Sequence, residues 1–430
     1  MPGPPSPLPA DLVNFLILGP IWKGGRMSRY GTAKPLSILI MALVCVSVPT
    51  LKASDLCSND QSPASVQFQL YNGGIVIPVQ INDYQKQLNF LLDTGAEISI
   101  IDKQLSQRLG LPAESEVTLL KPEAEALASL VHVRELRVGS LTLRDQSAIS
   151  DDKQGLSQAL GVHLDGTLGL NVLEQIRFKI DYSNTTVTLC PSAKYSEDPK
   201  GSAVQLIRSG GLLLVPVTFN DSIQDHLCLD TGSNFTNLSW NAWQRITENW
   251  HPREIVSGLR ASGESEAQSY LTRLDSIQVG KMRVSRPAVV VTKPQTTGTL
   301  AQATFSGLLG HNELKRFILT IDLPDNRLFL RPDPKYHPNP LRYTTVGIQA
   351  QKQGTTFLVA SVWDNSPASK AGIRIGDEIL KIDGKALDPV ALGALSGHLL
   401  HRPEGTTIRL QLRREGQTFE RTLVCRNLLP

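Results

Sequence analysis

The sequence predicts a mainly β protein in which one mostly β domain occurs twice and is followed by a small α+β domain. Three observations support this fold class: a long internal repeat, short apolar strands separated by turn residues, and a change of pattern after a proline-rich stretch. The chain has 430 residues, which is too many for one ordinary hydrophobic core and also favours several domains.

The repeat consists of matched segments that occur in the same order in both copies. Leu-Leu-Asp-Thr-Gly-Ala at 91–96 recurs as Cys-Leu-Asp-Thr-Gly-Ser at 228–233. Gly-Thr-Leu-Gly-Leu-Asn at 166–171 recurs as Gly-Leu-Leu-Gly-His-Asn at 307–312. Shorter Ile/Val-Pro-Val, Val-Gly and Ile-Asp matches lie at nearly the same offset. Matches in this order indicate one domain that has been duplicated.

Each copy is predicted to be built mostly of strands. Residues 75–81 and 212–219 fit the first strand of each copy, because they are rich in branched apolar residues. Residues 88–92 and 227–229 are apolar on both faces, as expected of central buried strands. Each of these central strands ends directly before an aspartate.

Three short helices are predicted between the strands. Residues 104–110 fit a helix that is closed by a glycine. Residues 173–176 and 313–317 fit a short helix after the second glycine motif of each copy.

Four prolines in residues 332–340 indicate a linker before a different domain. The predicted division is a signal peptide with an upstream extension at 1–53, a first lobe at 54–196, a second lobe at 197–331, the linker at 332–340 and a C-terminal domain at 341–430.

The predicted signal begins with a short basic stretch that opens at Met27. The uncharged apolar run that follows, residues 36–48, is shorter than the ~20 residues that a membrane span needs and fits a secretory signal. Cleavage is expected after Ala53, which would place the protein in the periplasm, the cell envelope or the medium. An uncleaved N-terminal anchor is the alternative, and only then is membrane attachment expected.

Charge and metal-binding patterns narrow the function classes. The 43 basic and 40 acidic residues leave a net charge of +3, so a strongly basic nucleic-acid-binding protein is not expected. No Cys-x-x-Cys pair or His/Cys cluster occurs, and therefore neither a metal site nor a cofactor is predicted.

Four cysteines follow the predicted signal, and they permit three pairings if the protein is exported. Cys57 and Cys190 bracket the first lobe and are the best candidates for a disulfide. Cys228 lies in an apolar strand, where a buried free thiol is the alternative. The remaining cysteine is Cys425.

The two Asp-Thr-Gly motifs, together with Leu168-Gly169 and Leu309-Gly310 in the later motif, resemble the aspartic peptidase family. One motif alone would be an ordinary turn, but two at matched positions of a duplicated domain are specific. The resemblance covers roughly residues 65–332. It implies two retropepsin-like β-barrel lobes, short as in the retroviral enzymes but joined in one chain as in pepsin.

The resemblance implies a catalytic pair, Asp93 and Asp230, held together across a pseudo-two-fold axis. Two carboxylates about 3 Å apart cannot both ionise, so they share one proton, the arrangement for which aspartic peptidases are the standard example. The charged member activates a water, and the protonated member serves the oxyanion and the leaving amine. The pair titrates as a unit, so neither residue is assigned one role.

The remaining motif residues are expected to support this pair. Thr94 and Thr231 should each donate a hydroxyl hydrogen bond to the opposite loop. Gly95 and Gly232 should let backbone N–H groups approach the carboxylates. The hydroxyl of Ser233 should bond the outer oxygen of Asp230, which the matching alanine of the first lobe cannot do for its own aspartate.

The family also has flap hairpins that close over the substrate. The matching intervals are residues 114–128 in the first lobe and 257–268 in the second. Gly258 and Gly263 suit a mobile hairpin in the second lobe.

Residues 366–384 carry a second resemblance, to PDZ domains of the kind attached to bacterial envelope proteases, and it extends over about residues 341–425. In that family a peptide adds as a strand, and its C-terminal carboxylate is held by backbone N–H groups of a loop. Val346, Gly347 and Ile348 fit that loop, and a helix across residues 390–400 would form the other wall of the groove.

The sequence therefore predicts an exported aspartic endopeptidase. Its expected partners are a peptide or protein substrate at the carboxylates and a peptide C-terminus or loop at the PDZ groove. The alternative is a non-catalytic PDZ adaptor that retains the peptidase scaffold. Both aspartates and both threonines of the two motifs are present, which favours the enzyme.

Overall fold

The computed structural model describes residues 63–120, 125–191, 201–260, 268–293, 305–338, 343–353, 356–387 and 401–430. The predicted signal, Cys57 and the predicted groove helix at 390–400 lie outside these ranges. Within them, no helix is both long enough and apolar enough to cross a membrane.

The first lobe contains eleven strands and three short helices among its described residues. They are β1 (Ala64–Gln67), β2 (Gln69–Tyr71), β3 (Gly74–Ile81), β4 (Leu88–Leu92), β5 (Ile100–Asp102), α1 (Lys103–Arg108), β6 (Ala113–Leu120), β7 (Glu125–Val138), β8 (Leu141–Asp151), α2 (Gln154–Leu160), β9 (Gly166–Leu168), α3 (Leu170–Leu173), β10 (Ile176–Asp181) and β11 (Thr186–Pro191). Six of them pair in the order β3-β4-β9-β5-β8-β7, and β3 also pairs with β7, which closes a barrel.

The second lobe repeats this plan. Its elements are β12 (Ser202–Gln205), β13 (Ile207–Ser209), β14 (Leu212–Phe219), β15 (Ile223–Leu229), β16 (Asn237–Ser239), α4 (Trp240–Thr247), β17 (Ile255–Arg260), β18 (Gln268–Arg273), β19 (Ser276–Val279), β20 (Met282–Ser285), β21 (Ala288–Thr292), β22 (Gly307–Leu309), α5 (His311–Leu314), β23 (Phe317–Asp322) and β24 (Arg327–Pro332). The duplication extends to burial, because β3 and β14 show the same residue-by-residue pattern of buried and half-buried positions.

A six-stranded sheet joins the two lobes in the order β1-β11-β10-β23-β24-β12. Its central pairing is antiparallel and places Phe178 of the first lobe opposite Ile321 of the second. Both side chains are fully buried in one apolar cluster that extends through both lobes. The lobes are therefore held to each other by backbone hydrogen bonds and by a common core.

The C-terminal domain has its own core. Its elements are β25 (Thr344–Thr345), β26 (Ile348–Gln353), β27 (Thr356–Val362), α6 (Pro367–Lys370), β28 (Glu378–Ile382), β29 (Lys385–Ala386), β30 (Thr407–Arg414), β31 (Gln417–Val424) and β32 (Arg426–Asn427). Alternate residues of β30, Ile408, Leu410 and Leu412, are fully buried in this core. The predicted fold class, mainly β with two duplicated lobes and a small α+β domain, is confirmed.

The local predictions hold for most elements, with two differences. The short helices after the second glycine motifs begin earlier than expected, at Leu170 and His311, because each motif glycine itself occupies the N-cap position. The predicted linker is not a free spacer in its described part. The backbone of Asp333 bonds Arg316, and the ring of Tyr336 packs under the Arg316 guanidinium.

Candidate active site

The structure places Asp93 and Asp230 at the ends of equivalent central strands. Asp93 follows β4 and Asp230 follows β15. The strand of the second glycine motif runs parallel beside each of them, β9 next to β4 and β22 next to β15. The N–H of Asp93 donates to Leu168 O at 3.0 Å, and the N–H of Asp230 donates to Leu309 O at 3.1 Å. Each aspartate is thus fixed to its own barrel by backbone pairing.

The side chains of Asp93 and Asp230 contact each other in the interior, where they are 0% and 1% exposed. One oxygen of each carboxylate is held by its own loop. Asp93 Oδ1 accepts from Gly95 N at 2.8 Å, and Asp230 Oδ1 accepts from Gly232 N at 2.9 Å. Each Oδ2 is buried and accepts no hydrogen bond from the described residues.

Burial governs the charge of the pair. Loss of solvation raises the pKa of Asp93 to about 6, although the Gly95 N–H and the charge of Lys153 act in the opposite direction. Burial and then the neighbouring charge of Asp93 raise the pKa of Asp230 well above its usual value. The site therefore holds one proton across a range of pH in which an exposed aspartate is fully ionised.

The two threonines connect the loops reciprocally, as the sequence predicted. Thr94 Oγ1 donates to Leu229 O at 2.7 Å, and Thr231 Oγ1 donates to Leu92 O at 2.8 Å. Each hydroxyl oxygen also accepts from the backbone N–H of the opposite threonine, at 3.0 and 3.1 Å. Four buried hydrogen bonds thus fix the spacing of the two strand ends.

Gly95 and Gly232 are required by close approach to the carboxylates. A Cβ on Gly95 would lie 2.6 Å from Cγ of Asp230, and one on Gly232 would lie 2.6 Å from Cγ of Asp93. Each glycine therefore faces the carboxylate of the other lobe, a contact that no side chain permits.

Gly95→Ala is accordingly expected to separate the carboxylates and to lower any peptidase activity at least about a hundredfold, since a displacement of about 1 Å can cost that much. The matched control is Gly210→Ala. The backbone of Gly210 (φ +56°) is less suited to alanine than that of Gly95, but nothing lies within 4 Å of the new methyl group. Steady-state kinetics of both variants, with circular dichroism to check folding, measure the difference. Equal activities would contradict the steric role.

One prediction for the loop is wrong. The Ser233 hydroxyl does not bond Asp230 but donates to Phe235 O at 2.8 Å. Ser233 supports Asp230 through its backbone instead, because its N–H donates to Asp230 Oδ1 at 2.8 Å. Asp230 Oδ1 therefore accepts two backbone hydrogen bonds.

The second glycine motif packs directly beneath the aspartate loops. A Cβ on Gly169 would lie 2.8 Å from Ala96 O, and one on Gly310 would lie 2.2 Å from Phe235 O. Leu168 and Leu309 are buried beside them. This contact explains why glycine occurs at the same place in both copies.

Sequence reasoning assigned no role to a second layer of hydrogen bonds below the loops. Gly169 N donates to Ser99 Oγ, which donates to Asn171 Oδ1. In the second lobe, Gly310 N donates to Thr236 Oγ1, while Asn312 Oδ1 accepts from the Thr236 backbone. The signal was present, since both asparagines close the repeated glycine motifs.

Paired strands occupy the two intervals where flaps were expected. In the first lobe β6 pairs with the start of β7, and in the second lobe β17 pairs with β18. Gly258 lies in β17, whereas Gly263 lies outside the described residues.

Comparison with known proteins agrees with this geometry. Residues 77–172 and 215–312 match the aspartyl protease family model. Residues 344–423 match the PDZ domain model. The architecture is therefore aspartyl-protease-like in two repeats, followed by a PDZ domain. Each aspartyl protease match contains one aspartate of the pair and one second glycine motif.

Curated relatives share only part of the chain. A probable CtpA-like serine protease of Staphylococcus haemolyticus is 31% identical over 130 residues, which is 30% of this chain and 24% of that protein. The carboxy-terminal processing protease CtpA of Bacillus subtilis is 32% identical over 71 residues, 16% of this chain and 15% of that protein. The chain thus spans less than a quarter of the length of these relatives. Together with the family matches, they indicate a protease-like protein with a PDZ domain.

The PDZ loop predicted to bind a peptide carboxylate lies between β25 and β26. Val346 is fully buried, and Gly347 has a φ of +81°, a conformation that favours glycine. Gly347 N donates to Thr345 Oγ1 at 3.3 Å. Ile348 begins β26, which lies at the edge of its sheet in the described residues. An edge strand is the element to which a peptide adds in this binding mode.

The cysteines show no bonded pair among the described residues. Cys228 and Cys425 are buried free thiols, which agrees with the alternative that the sequence left open for Cys228. Burial raises the pKa of the Cys228 thiol, so it is a poor nucleophile. The expected Cys57–Cys190 disulfide involves a residue outside the described ranges and stays a prediction.

Proposed function

We propose that this protein is an exported aspartic endopeptidase that hydrolyses peptide bonds with a water activated between Asp93 and Asp230. The observation that supports the proposal most directly is the contact of the two buried carboxylates, each contributed by one lobe. Desolvation and mutual repulsion give such a pair one shared proton, which is the state that this chemistry needs.

The proposed reaction uses only this pair and a water. The ionised carboxylate takes a proton from the water as its oxygen attacks the scissile carbonyl carbon. The protonated carboxylate donates to the developing oxyanion. The tetrahedral intermediate then collapses, the C–N bond breaks, and the amine leaves with a proton from the pair. The two Oδ2 atoms accept no hydrogen bond from the described residues and are therefore suited to hold the proton and the water.

The residues around the pair have supporting roles in this proposal. Thr94 and Thr231 keep the lobes in register, and the backbone N–H groups of Gly95, Gly232 and Ser233 fix one oxygen of each carboxylate. Fixed donors cost no reorganisation during the reaction, which is why preorganisation contributes to rate.

Export is the second part of the proposal. It rests on the basic stretch and apolar run in residues 27–53 and on the resemblance of the PDZ domain to those of envelope proteases. Peptides or unfolded proteins outside the cytoplasm are the proposed substrates. We further propose the PDZ loop at Val346, Gly347 and Ile348 as the binding site for a peptide C-terminus or loop, and the domain boundaries predicted above.

The test is cleavage of denatured casein by the full chain across pH 3–8. Activity is expected to fall as the pH drops through about 6, because the pair then takes up its second proton and no carboxylate remains to take the proton of water. A fluorophosphonate, which modifies the nucleophile of serine proteases, is expected to have no effect. Inactivation by that reagent would favour the serine class named for the relatives, and no cleavage at any pH would favour the non-catalytic adaptor.

A further inference from the structure

The PDZ domain is packed against the second lobe. One buried apolar cluster contains side chains of both: Val256, Leu271 and Ala288 from the lobe, and Tyr343, Trp363 and Leu429 from the PDZ domain. Phe235, on the loop that follows Asp230, packs against the same cluster. The domain interface therefore reaches the loop of one catalytic candidate.

Hydrogen bonds attach the PDZ domain to the second-lobe hairpin, formed by β17 and β18. Asp364 N donates to Ser257 O at 2.9 Å, and Ser257 Oγ donates to the Asp364 carboxylate at 2.6 Å. Ser361 Oγ donates to Gly258 O at 2.7 Å. On β18, Arg273 donates to Leu429 O at 3.2 Å and stacks on the Tyr343 ring. Both strands of the hairpin are thus held by the PDZ domain.

Gly258 is shaped for this contact rather than for free motion. It lies at an irregularity of the β17–β18 pairing and has a φ of +82°. A Cβ there would lie 2.6 Å from Val362 O and 3.0 Å from Asp364 N. A glycine at a bulge permits this close approach of a second backbone.

The proposed peptide-binding loop bonds the same PDZ segment. Trp363 N donates to Gly347 O at 2.9 Å, and Ala368 N donates to Val346 O at 3.0 Å. A Cβ on Gly347 would lie 2.2 Å from the Ser366 side chain. One peptide unit therefore separates the residue that bonds the loop, Trp363, from the residue that bonds the hairpin, Asp364.

A short path also leads from the interface to Asp230. Phe235 contacts the interface cluster, and its carbonyl accepts from Ser233 Oγ at 2.8 Å. The N–H of Ser233 in turn donates to Asp230 Oδ1 at 2.8 Å. A shift of the PDZ domain relative to the lobe would therefore displace Ser233, whose N–H donates to the Asp230 carboxylate.

We propose that occupancy of the PDZ loop at residues 345–348 is coupled to the active site through Trp363, Asp364 and the second-lobe hairpin. This coupling rests on the proposed peptidase function and gives the PDZ domain a positioning role in it. Ser361 and Asp364 are positioning residues, since they act through the hairpin and not on the substrate. Coupling of this kind is reciprocal, so a ligand at the carboxylates would change affinity at the loop by the same factor.

Hydrogen exchange on the full chain tests the docking without requiring activity. Ser361→Ala combined with Asp364→Ala is expected to speed exchange in β17 about tenfold, because two net hydrogen bonds are lost. The matched control is Ser369→Ala with Glu415→Ala, two exposed residues of the PDZ domain whose side chains make no hydrogen bond to the described residues of the second lobe. Asp364→Asn as a single change keeps an acceptor for Ser257 and leaves Ser361 in place, so exchange in β17 is expected to equal that of the wild type. Unchanged exchange in the Ser361/Asp364 variant overturns the proposal.

A pair of glycine variants tests the link from the loop. Gly347→Ala forces the loop against Ser366, whereas Gly376→Ala has a similar backbone (φ +88°) but nothing within 4 Å. Faster exchange in β17 is expected for Gly347→Ala alone, together with a several-fold higher KM for peptide cleavage and a smaller change in kcat. If Gly347→Ala speeds exchange only within the PDZ domain and not in β17, the proposed coupling is wrong. Exchange is measured without substrate, so it decides this point even if the chain cleaves nothing.

Discussion

Asp93→Asn and Asp230→Asn are each expected to lower kcat for peptide cleavage at least about a thousandfold. An amide in either place can neither take the proton of water nor share one with the remaining carboxylate. Because both residues act as one unit, the double variant is expected to be no less active than either single variant. Casein cleavage near the optimum pH, followed by release of soluble peptides, measures the loss.

The control for this prediction is Asp83→Asn, which removes an aspartate that is 88% exposed and pairs with Arg134 at the surface. It is expected to retain wild-type activity, since exposed ion pairs contribute little. Retained activity in only one of the two active-site variants would mean that the lobes do not form a shared site. Retained activity in both would remove the aspartic mechanism altogether.

Thr231→Val is expected to lower the free energy of unfolding by roughly 2–5 kcal/mol, because it leaves Leu92 O and the Thr94 N–H buried without a partner. Valine has nearly the shape of threonine, so the effect isolates the hydroxyl. Thr231→Ser is the matched control, since it keeps the hydroxyl and loses only a methyl group. Urea unfolding of both variants measures the difference through their midpoints at equal slope.

The prediction for Thr231 also concerns geometry. If the four threonine hydrogen bonds set the spacing of the strand ends, Thr231→Val should lose activity as well as stability, at temperatures where it is still folded. Equal stability of the valine and serine variants would show that the network does not hold the lobes together.

The sequence predicted the lobes and the position of the paired loops because this information repeats. Two copies of a strand that ends in Asp-Thr-Gly, each followed by a second glycine motif, are sufficient to place Asp93 and Asp230 at equivalent ends of equivalent barrels. The reciprocal bonds of Thr94 and Thr231 follow from that symmetry, since each loop needs a partner of its own kind.

The features that sequence reasoning missed depend on contacts between distant segments. Whether the Ser233 hydroxyl turns to Asp230 or to Phe235 O depends on the turn beyond it, which no pattern reports. Gly258 was expected to make a hairpin mobile. In the structure it lies at a bulge, where the absence of a side chain lets the backbone of the PDZ domain approach closely. The PDZ interface uses isolated apolar residues, such as Trp363 and Leu429, that resemble ordinary core residues in the sequence.

The sheet that joins the lobes has a consequence for how such a site can evolve. In a homodimer of identical lobes, every substitution is made twice, and the two halves of the site must remain alike. Here the β10–β23 pairing joins halves that are encoded separately, so one can change without the other. Two differences of this kind are present. Alanine occupies position 96 where the second lobe has Ser233, and the PDZ domain packs against only the second lobe in the described residues. Tethering also keeps the halves together at any dilution, so assembly of the site does not depend on protein concentration.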